Sequence, residues 1–425
     1  MSTPASITDD PVPQRDRASA SVLRHKGFAL LFAGQAISLV GDRLIMVAMP
    51  FAVLALPGGS ASGVGLVLGA NALGFGLFVL VGGVLADRLP RQLTMLASDL
   101  GRGLVQAAAA GLLLSGHATV ALLAVLQLLY GGAEAFFRPA VLGLVPQVVE
   151  PGEEQPANAL LALSNNVAMV AGPVAAGVLV AWLGPGGAVA VDAGTFVVSA
   201  VTLAVMRPRP YTPSPSEGFR AEIAGGWREV RSRSWVWATV GAFTFYSALV
   251  LPAIFVLGPQ VANDIRDGST SWGFISAGFG VGAVLGSVVA LRWKPQNQGV
   301  VIGVALIAGS MQGAICAAPF PTWVVALLEA GAGIGVSLCF TIWDTVLQQR
   351  IPEAAQARVS AFDHFGSVTF MPVGYAVIGP AAAAFGVRAT SVAATLVTAV
   401  VCLAVLLPLR RLPAVPPGLS TQHPA

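Results

Sequence analysis

Two apolar hairpins of similar sequence occur about 204 residues apart, and this repetition is the feature that most constrains the fold. The stretch GFGLFVLVGGVLADRLPRQ begins at Gly74, and GFGVGAVLGSVVALRWKPQ begins at Gly278. The copies share glycines, an apolar run and one arginine, Arg88 or Arg292. A basic turn that recurs between long apolar segments is typical of a duplicated membrane protein.

The composition supports this interpretation. Charged residues make up 10% of the chain and hydrophobic residues 55%, whereas soluble domains carry about 25% charged residues. These values argue against a soluble enzyme. Because about 20 apolar residues cross the hydrocarbon core of a bilayer, the sequence predicts twelve transmembrane spans, at 28–56, 63–86, 93–115, 118–137, 157–183, 187–206, 236–260, 272–291, 299–318, 323–346, 365–385 and 389–409.

The two halves align beyond the hairpin. Pro50 matches Pro252 and Pro151 matches Pro352, at offsets of 202 and 201 residues. A common offset predicts parallel repeats about an axis along the membrane normal, with substrate bound between them. The predicted fold class is therefore an all-α integral membrane protein of twelve transmembrane helices in two pseudo-symmetric six-helix halves. The predicted divisions are a tail at 1–27, a half at 28–206, a linker at 207–235, a half at 236–409 and a tail at 410–425.

Part of the linker is predicted to be an amphipathic helix. Its apolar residues recur at helical spacing, which is typical of a helix lying in the membrane interface. A plain connector and a regulatory segment both fit this pattern. The apolar positions are Phe219, Ile223, Trp227 and Val230.

The distribution of basic residues predicts the orientation. The tails, the linker and the other even-to-odd loops hold 19 of the 23 Lys and Arg residues. By the positive-inside rule, both termini of this multi-pass protein are expected in the cytoplasm, and the protein in the cell membrane. The first 23 residues contain no apolar segment of a cleavable signal peptide. The three cysteines lie in apolar segments without metal-ligand spacing, so neither a disulfide nor a metal site is expected.

The loop between spans 2 and 3 carries a recognisable motif. Gly83, Asp87, Arg88 and Arg91 match the pattern G-x-x-x-D-R-x-G-R-R, while Pro90 and Gln92 replace its last Gly and last basic residue. On these residues the chain resembles the major facilitator superfamily, in particular its drug-efflux branch with macrolide-efflux and enterobactin-exporter-like proteins. The resemblance implies the major facilitator fold and transport by alternating access.

A second match lies in span 5. Gly172, Pro173 and Gly177 resemble the G-P-x-x-G-G signature of proton-driven exporters in this superfamily, with Ala176 in place of one Gly. Plain packing of small residues against a neighbouring helix is the alternative. The arginine that the family places four residues before a Gly in span 4 is missing, because Gln127 precedes Gly131.

Carboxyl groups within spans are candidates for proton coupling. Asp42 lies well inside span 1, where a charge is costly unless it faces a cavity or a partner. It could instead pair permanently with an arginine or cap a break at Gly41. Asp192 is expected to reach the membrane interface, with a second proton site as the alternative, and for Glu329 both interpretations stay open. The coupling candidates are Asp42, Glu134 and Glu329.

A set of residues near the predicted cytoplasmic ends is expected to gate the transporter. The resemblance implies that Asp87 meets the start of span 11, at 363–367, and that Arg102 or Arg138 substitutes for the missing span-4 arginine. A solvated basic rim is the alternative. The proposed gating residues are Gly83, Asp87, Arg88, Arg91, Asp99, Arg102 and Arg138.

Aromatic and amide side chains within spans are candidates for a substrate cavity. Drug sites are commonly apolar and aromatic, although lipid contact or core packing is the default explanation for any single aromatic residue. An amide within a span needs a polar partner. The candidates are Asn165, Asn166, Phe243, Phe245, Tyr246, Phe279, Phe340 and Trp343.

Together these features predict a secondary active transporter that exports small amphipathic molecules in exchange for protons. The sequence has no GxxxxGK[ST] motif of an ATP-driven pump and no catalytic constellation. No cofactor is expected, since the transmembrane proton gradient supplies the energy. The expected partners are substrate, protons and the lipid bilayer, without nucleic acid, and a monomer is expected. A lysolipid flippase, a nutrient importer and a non-transporting membrane sensor remain alternatives.

Overall fold

The computed structural model describes residues 22–86, 89–210, 227–228, 230–293, 295–351, 359, 362–363 and 366–410. The side chains of 80–86, Arg138 and Leu142 lie outside this description, as do both tails and most of the linker. The described residues form helices and no strand.

All twelve spans are helical. The first half contains Lys26–Leu54, Ala61–Ala86, Arg91–Leu114, Val120–Val148 and Glu154–Val205, the last of which forms both span 5 and span 6. In the second half, span 7 is Ser234–Ile265, followed by Gly268–Arg292, Gln298–Ala317, Thr322–Arg350, Gly366–Phe385 and Val387–Arg410. The predicted all-helical membrane fold is confirmed.

Two departures from uniform apolar helices have local causes. Spans 5 and 6 join at Gly184, whose φ of 73° reverses the chain in a conformation that favours glycine. Span 3 is the least apolar crossing because it carries Asp99, Arg102 and Gln106, all of them buried. These polar groups face neighbouring helices and not lipid.

The duplication is visible in backbone packing. Gly74 of span 2 lies against the carbonyl of Leu128 in span 4, and Gly278 of span 8 lies against the carbonyl of Ala326 in span 10. In both halves, a glycine allows the second and fourth helices to approach closely. Equivalent contacts about 200 residues apart support the parallel repeat.

The two halves meet at one end of the bundle. We call the end that holds Lys26 and Arg410 the terminal end, and the opposite end the distal end. At the distal end, Gly65 lies against the carbonyl of Tyr375, and Gly273 lies against the carbonyl of Pro173. Both contacts join spans of different halves.

The apolar core follows the same division. One cluster of buried residues draws on both halves toward the distal end, including Ala48 and Ile378. Toward the terminal end the core separates into one cluster per half, around Leu144 in the first half and Ile302 in the second. No shared core joins these two clusters among the described residues, and we call the space between them the cleft.

The described part of the linker packs on the second half. Val230 is 3% exposed and belongs to that half's core cluster. Trp227 is exposed, and its ring centroid lies 6.0 Å from that of Phe362. The predicted amphipathic positions Phe219 and Ile223 lie outside the described residues.

Replacing Gly74 with Ala tests the helix contact inside the first half. The added Cβ would overlap the carbonyl of Leu128, and overpacking costs about 1–3 kcal/mol. We expect a lower Tm for the purified Gly74→Ala protein. Gly76→Ala is the matched control, because a Cβ there meets nothing within 4 Å and the substitution favours helix. Equal Tm values for the two variants would contradict the proposed close packing.

Candidate functional site

A cavity of about 130 Å³ lies between the two halves, close to their distal contact. The first half contributes residues of spans 1 and 5, and the second half residues of spans 7 to 10. Most of the wall is apolar. Its polar or charged members are Arg43, Tyr246, Trp272, Ser276, Gln312, Cys316 and Glu329.

The second half places a carboxyl group on the cavity wall. Glu329 is 2% exposed, and its Oε2 accepts a 2.8 Å hydrogen bond from Gln312 Nε2. The Cys316 thiol donates to Glu329 Oε1 at 3.5 Å. Tyr246 donates its hydroxyl to Gln312 Oε1 at 2.5 Å. Spans 7, 9 and 10 therefore join around a single carboxyl group on the cavity wall.

The first half places a guanidinium on the wall. Arg43 Nη2 donates to Asn165 Oδ1 at 3.2 Å, and Nη1 lies 3.9 Å from the sulfur of Met46. The aliphatic stem of Arg43 packs on Gly172, where a Cβ would overlap it. Pro173 lines the cavity beside this contact. The glycine of the span 5 signature thus provides the space for a cavity arginine.

A second charged cluster lies inside the first half. Arg102 of span 3 donates to Asp99, and its Nη1 lies 3.4 Å from Asp42 Oδ1 in span 1. Tyr130 donates to the same Asp42 oxygen at 2.9 Å, and Ser199 donates to Asp99 Oδ2 at 2.6 Å. One guanidinium therefore links two carboxyl groups, with partners in spans 1, 4 and 6.

Aromatic rings complete the environment of Arg102. The guanidinium carbon lies 4.3 Å from the ring centroid of Phe137 and 4.6 Å from that of Phe196. Both rings present their faces to the cation, an arrangement that stabilises it where water is excluded. Arg102 is only 1% exposed.

Within the first half, a chain of hydrogen-bonded amide side chains leads to a third carboxyl group, that of Asp192. Asn71 donates to Gln127 and Gln127 to Gln106, both at 3.3 Å. Gln106 Nε2 then donates to Asp192 Oδ2 at 2.9 Å. The prediction that Asp192 reaches the membrane interface is wrong, because its side chain is 0% exposed. Counting residues from the helix end gave its depth but not the helix face that it occupies.

The two halves use equivalent positions differently. Gln106 and Gln312 lie 206 residues apart in spans 3 and 9, while Gln127 and Glu329 lie 202 apart in spans 4 and 10. Within the first half Gln127 donates a hydrogen bond to Gln106, and within the second half Gln312 donates one to Glu329. The repeat thus has two amides in the first half and an amide with a carboxyl group in the second.

The predicted gating residues fall into separate places. Asp99 and Arg102 are buried in the charged cluster and do not form a solvated rim. Arg91 begins span 3 and packs against Gly143 of span 4. Gly83 lies in span 2. Asp87, Arg88 and the Arg138 side chain lie outside the description, so their predicted contacts stay predictions.

The start of span 11 is described in part. Asp363 Oδ2 accepts a 3.0 Å hydrogen bond from Trp343 Nε1. Burial raises the pKa of Asp363 to about 6, although the indole hydrogen bond acts in the opposite direction. Glu134, a coupling candidate, is half-buried in span 4, and its charge acts on Arg102.

The aromatic and amide candidates are only partly brought together. Tyr246 and Phe279 line the central cavity. Asn165 does not line it but accepts a hydrogen bond from Arg43, which does. Phe243 and Phe340 stack with centroids 5.0 Å apart beside a smaller pocket of the second half. Phe245, Asn166 and Trp343 line neither pocket: Phe245 is exposed, Asn166 is half-buried, and Trp343 is fully buried in the core.

Sequence reasoning missed several residues of these sites. Gln106, Gln312 and Tyr130 are polar groups inside apolar spans, which was a usable signal for a buried network. Arg43 directly follows Asp42 inside span 1, and its place in the sequence did not indicate that it reaches the cavity. Trp272 and Cys316 gave no distinguishing signal, since apolar packing explains such residues equally well.

Comparison with known proteins identifies the family. The model of the Major Facilitator Superfamily matches residues 31–367. The chain belongs to the Major Facilitator Superfamily. It is therefore a multi-pass membrane transporter of small molecules and not an enzyme.

Two characterised relatives are exporters. The multidrug efflux pump Tap of Mycolicibacterium fortuitum is 28% identical over 403 residues, which cover 90% of this chain and 95% of the relative. The enterobactin exporter EntS of Escherichia coli (strain SMS-3-5 / SECEC) is 25% identical over 407 residues, which cover 93% and 95%. These similarities favour efflux over the alternatives that the sequence left open.

Solved structures show the same fold. A bacterial homologue of the human lysosomal transporter Spinster, in an inward-facing and unoccupied conformation, matches with a TM-score of 0.67 at 15% identity. The match covers 92% of this chain and 97% of that structure. An auto-inhibited peptide transporter of the POT family matches with a TM-score of 0.72 at 14% identity, over 94% and 99%.

A double-mutant cycle tests the energetic role of the Arg102 cluster. Arg102→Gln leaves Asp99 buried without its cation, which costs about 3–5 kcal/mol. Adding Asp99→Asn should recover part of this loss, giving a coupling energy of about 1 kcal/mol or more from unfolding measurements. Arg43→Gln is the control for losing a half-buried arginine, and it should cost less. Additive effects of the Arg102 and Asp99 substitutions would refute a stabilising ion pair.

Proposed function

We propose that this transporter is a proton-coupled antiporter that exports small amphipathic molecules from the cytoplasm across the cell membrane. It acts as a monomer, because one chain encloses the cavity between its own two halves. The proton gradient supplies the energy and no bound cofactor takes part. The similarity to a multidrug efflux pump and an enterobactin exporter supports the export direction.

The observation that carries the proposal is the position of Glu329. It is the carboxyl group on the wall of the central cavity, held by Gln312 and Cys316. A group at this place can lose its proton when cargo enters and regain one when cargo leaves. Coupled transport requires that proton and cargo compete in this way for the conformational states of one protein.

The cluster around Arg102 supports a second coupling step in the first half. Asp42 is bound by Arg102 and Tyr130, and its side chain is 32% exposed. The pairing explanation for Asp42 therefore describes this state of the protein. Protonation of Asp42 would weaken the contact with Arg102, and a change of state would expose or bury the carboxyl group. Glu134 belongs to the same electrostatic environment.

The orientation of the bundle assigns a direction to this state. The excess of basic residues predicts that the terminal end faces the cytoplasm. The described core is shared by both halves toward the distal end and separates into one cluster per half toward the terminal end. The state is then open to the cytoplasm, ready to receive cargo for export.

Gradient-driven uptake of a fluorescent dye into inverted vesicles tests the coupling. Glu329→Gln and Asp42→Asn keep the shape of each side chain but cannot ionise. We expect each to reduce proton-driven uptake at least about tenfold, which corresponds to about 1.4 kcal/mol, without loss of membrane insertion. Asp264→Asn is the control, because Asp264 is an exposed carboxyl residue near the distal end. If Glu329→Gln and Asp42→Asn both take up the dye at the wild-type rate and with the wild-type pH dependence, proton coupling through these groups is refuted.

The distal contact can be tested through the equilibrium between states. Gly379 lies against the Ser62 backbone of the other half, so Gly379→Ala should disfavour distal closure. Spin labels at Lys26→Cys and Gln349→Cys report the distance across the terminal end. We expect a shift toward shorter distances in Gly379→Ala. The control Gly331→Ala, where a Cβ meets nothing within 4 Å, should match the wild-type distribution. An unchanged distribution in Gly379→Ala would show that this contact does not select the state.

A further inference from the structure

The polar groups of the central cavity differ in hydrogen-bonding character between its walls. The carboxyl group of Glu329 already accepts hydrogen bonds from Gln312 and Cys316 within its own half. Across the cavity stands Arg43, which can only donate. The cavity therefore presents a permanent cation on the side of the first half.

A second donor stands on the same cavity. Trp272 lines it and is 1% exposed. Its indole nitrogen is buried and has no hydrogen-bond acceptor among the described residues. An indole N–H can only donate, and leaving it unsatisfied costs free energy. A bound molecule with an acceptor group would remove that cost.

Arg43 is held so that its charge stays at the cavity. Its stem packs on Gly172, and Asn165 binds the guanidinium through a neutral oxygen at 3.2 Å. An arginine stays protonated at any physiological pH. Because most of the surrounding wall is apolar, a charge there acts on a ligand more strongly than it would in water.

The remaining wall suits an apolar body. Met46, Met169 and Phe279 lie along it, and methionine side chains adapt to ligands of different shape. A volume of about 130 Å³ is close to that which holds one benzene-sized ring in an engineered cavity, about 150 Å³. A larger cargo would extend from here into the cleft toward the terminal end.

We propose that the transporter recognises amphipathic cargo through an anionic group, such as a carboxylate, sulfonate or phenolate, that binds Arg43 and Trp272 while its aromatic body lies on the apolar wall. The planar guanidinium matches the two oxygens of such groups. This inference rests on the proposed function in taking the central cavity as the cargo site. It makes Arg43 a specificity-determining residue and Gly172 the residue that positions it.

The test compares two fluorescent probes with the same apolar body. 8-Anilinonaphthalene-1-sulfonate is anionic, whereas N-phenyl-1-naphthylamine lacks the sulfonate and is neutral. Energy transfer from tryptophan to each probe is measured for protein in phosphatidylcholine nanodiscs, so that the lipid background is equal for all variants. The variants are Arg43→Gln, Arg43→Lys and the control Arg388→Gln, which removes an exposed arginine at the distal end.

We expect Arg43→Gln to weaken binding of the sulfonate probe at least about tenfold, a loss of about 1.4 kcal/mol, and to leave the neutral probe within about twofold. The affinity of Arg43→Lys for the sulfonate probe should lie between those of the wild type and Arg43→Gln, since lysine keeps the charge and loses the planar guanidinium. It also supplies the comparison if Arg43→Gln does not fold. Arg388→Gln should bind both probes like the wild type.

Two results would overturn the inference: equal weakening of both probes, or sulfonate binding that is insensitive to both Arg43 substitutions. The exporter proposal has a separate readout in inverted vesicles. Gradient-driven movement of the neutral probe together with indifference to Arg43 would reject the anion site and keep the exporter. Selective sulfonate binding without gradient-driven movement of either probe would reject the exporter and keep the anion site.

Discussion

The guanidinium of Arg102 organises the first half, because a bilayer offers no water to solvate a buried charge. Its contacts reach Asp42 in span 1, Phe137 in span 4 and Phe196 in span 6. A buried cation is tolerated only when carboxyl groups and ring faces surround it, so these helices must keep a fixed arrangement. These contacts tie spans 1, 3, 4 and 6 of the first half to one another.

The second half has no equivalent cation among its described spans, and its polar centre lies at the cavity. Gln312 and Glu329 of the second half correspond to Gln106 and Gln127 of the first half. Of these four residues, only Glu329 is titratable. In the first half, the equivalent amides lead inward to Asp192. The hydrogen-bonded pair between the third and fourth spans of each half thus belongs to a buried network in the first half and to the cavity wall in the second.

The small residues of span 5 serve two neighbours at once. Gly172 accommodates the stem of Arg43, while Gly177 lies against the backbone of Ser269 in span 8. The first contact shapes the cavity and the second closes its distal end. Helix packing and a role in transport were alternatives for this signature, and the structure shows packing contacts at the cavity wall and between the two halves. Side chains larger than hydrogen at either glycine would separate the helices.

The sequence by itself determined the membrane fold, the duplication and the family. Long apolar runs predict helices across a bilayer, because a helix satisfies its backbone hydrogen bonds internally. The repeated hairpin and the motif residues Gly83 and Arg91 can be recognised within short stretches of the sequence. Which polar groups meet was decided only by tertiary structure. Asp192 was expected at the interface but is buried, and Arg43 reaches the cavity while the adjacent Asp42 contacts Arg102. Successive residues of a helix point about 100° apart. A small error in the predicted rotation of one helix against another therefore changes which side chains meet at their interface. Charges from spans 1, 3 and 6 therefore find one another through packing, which linear spacing does not record.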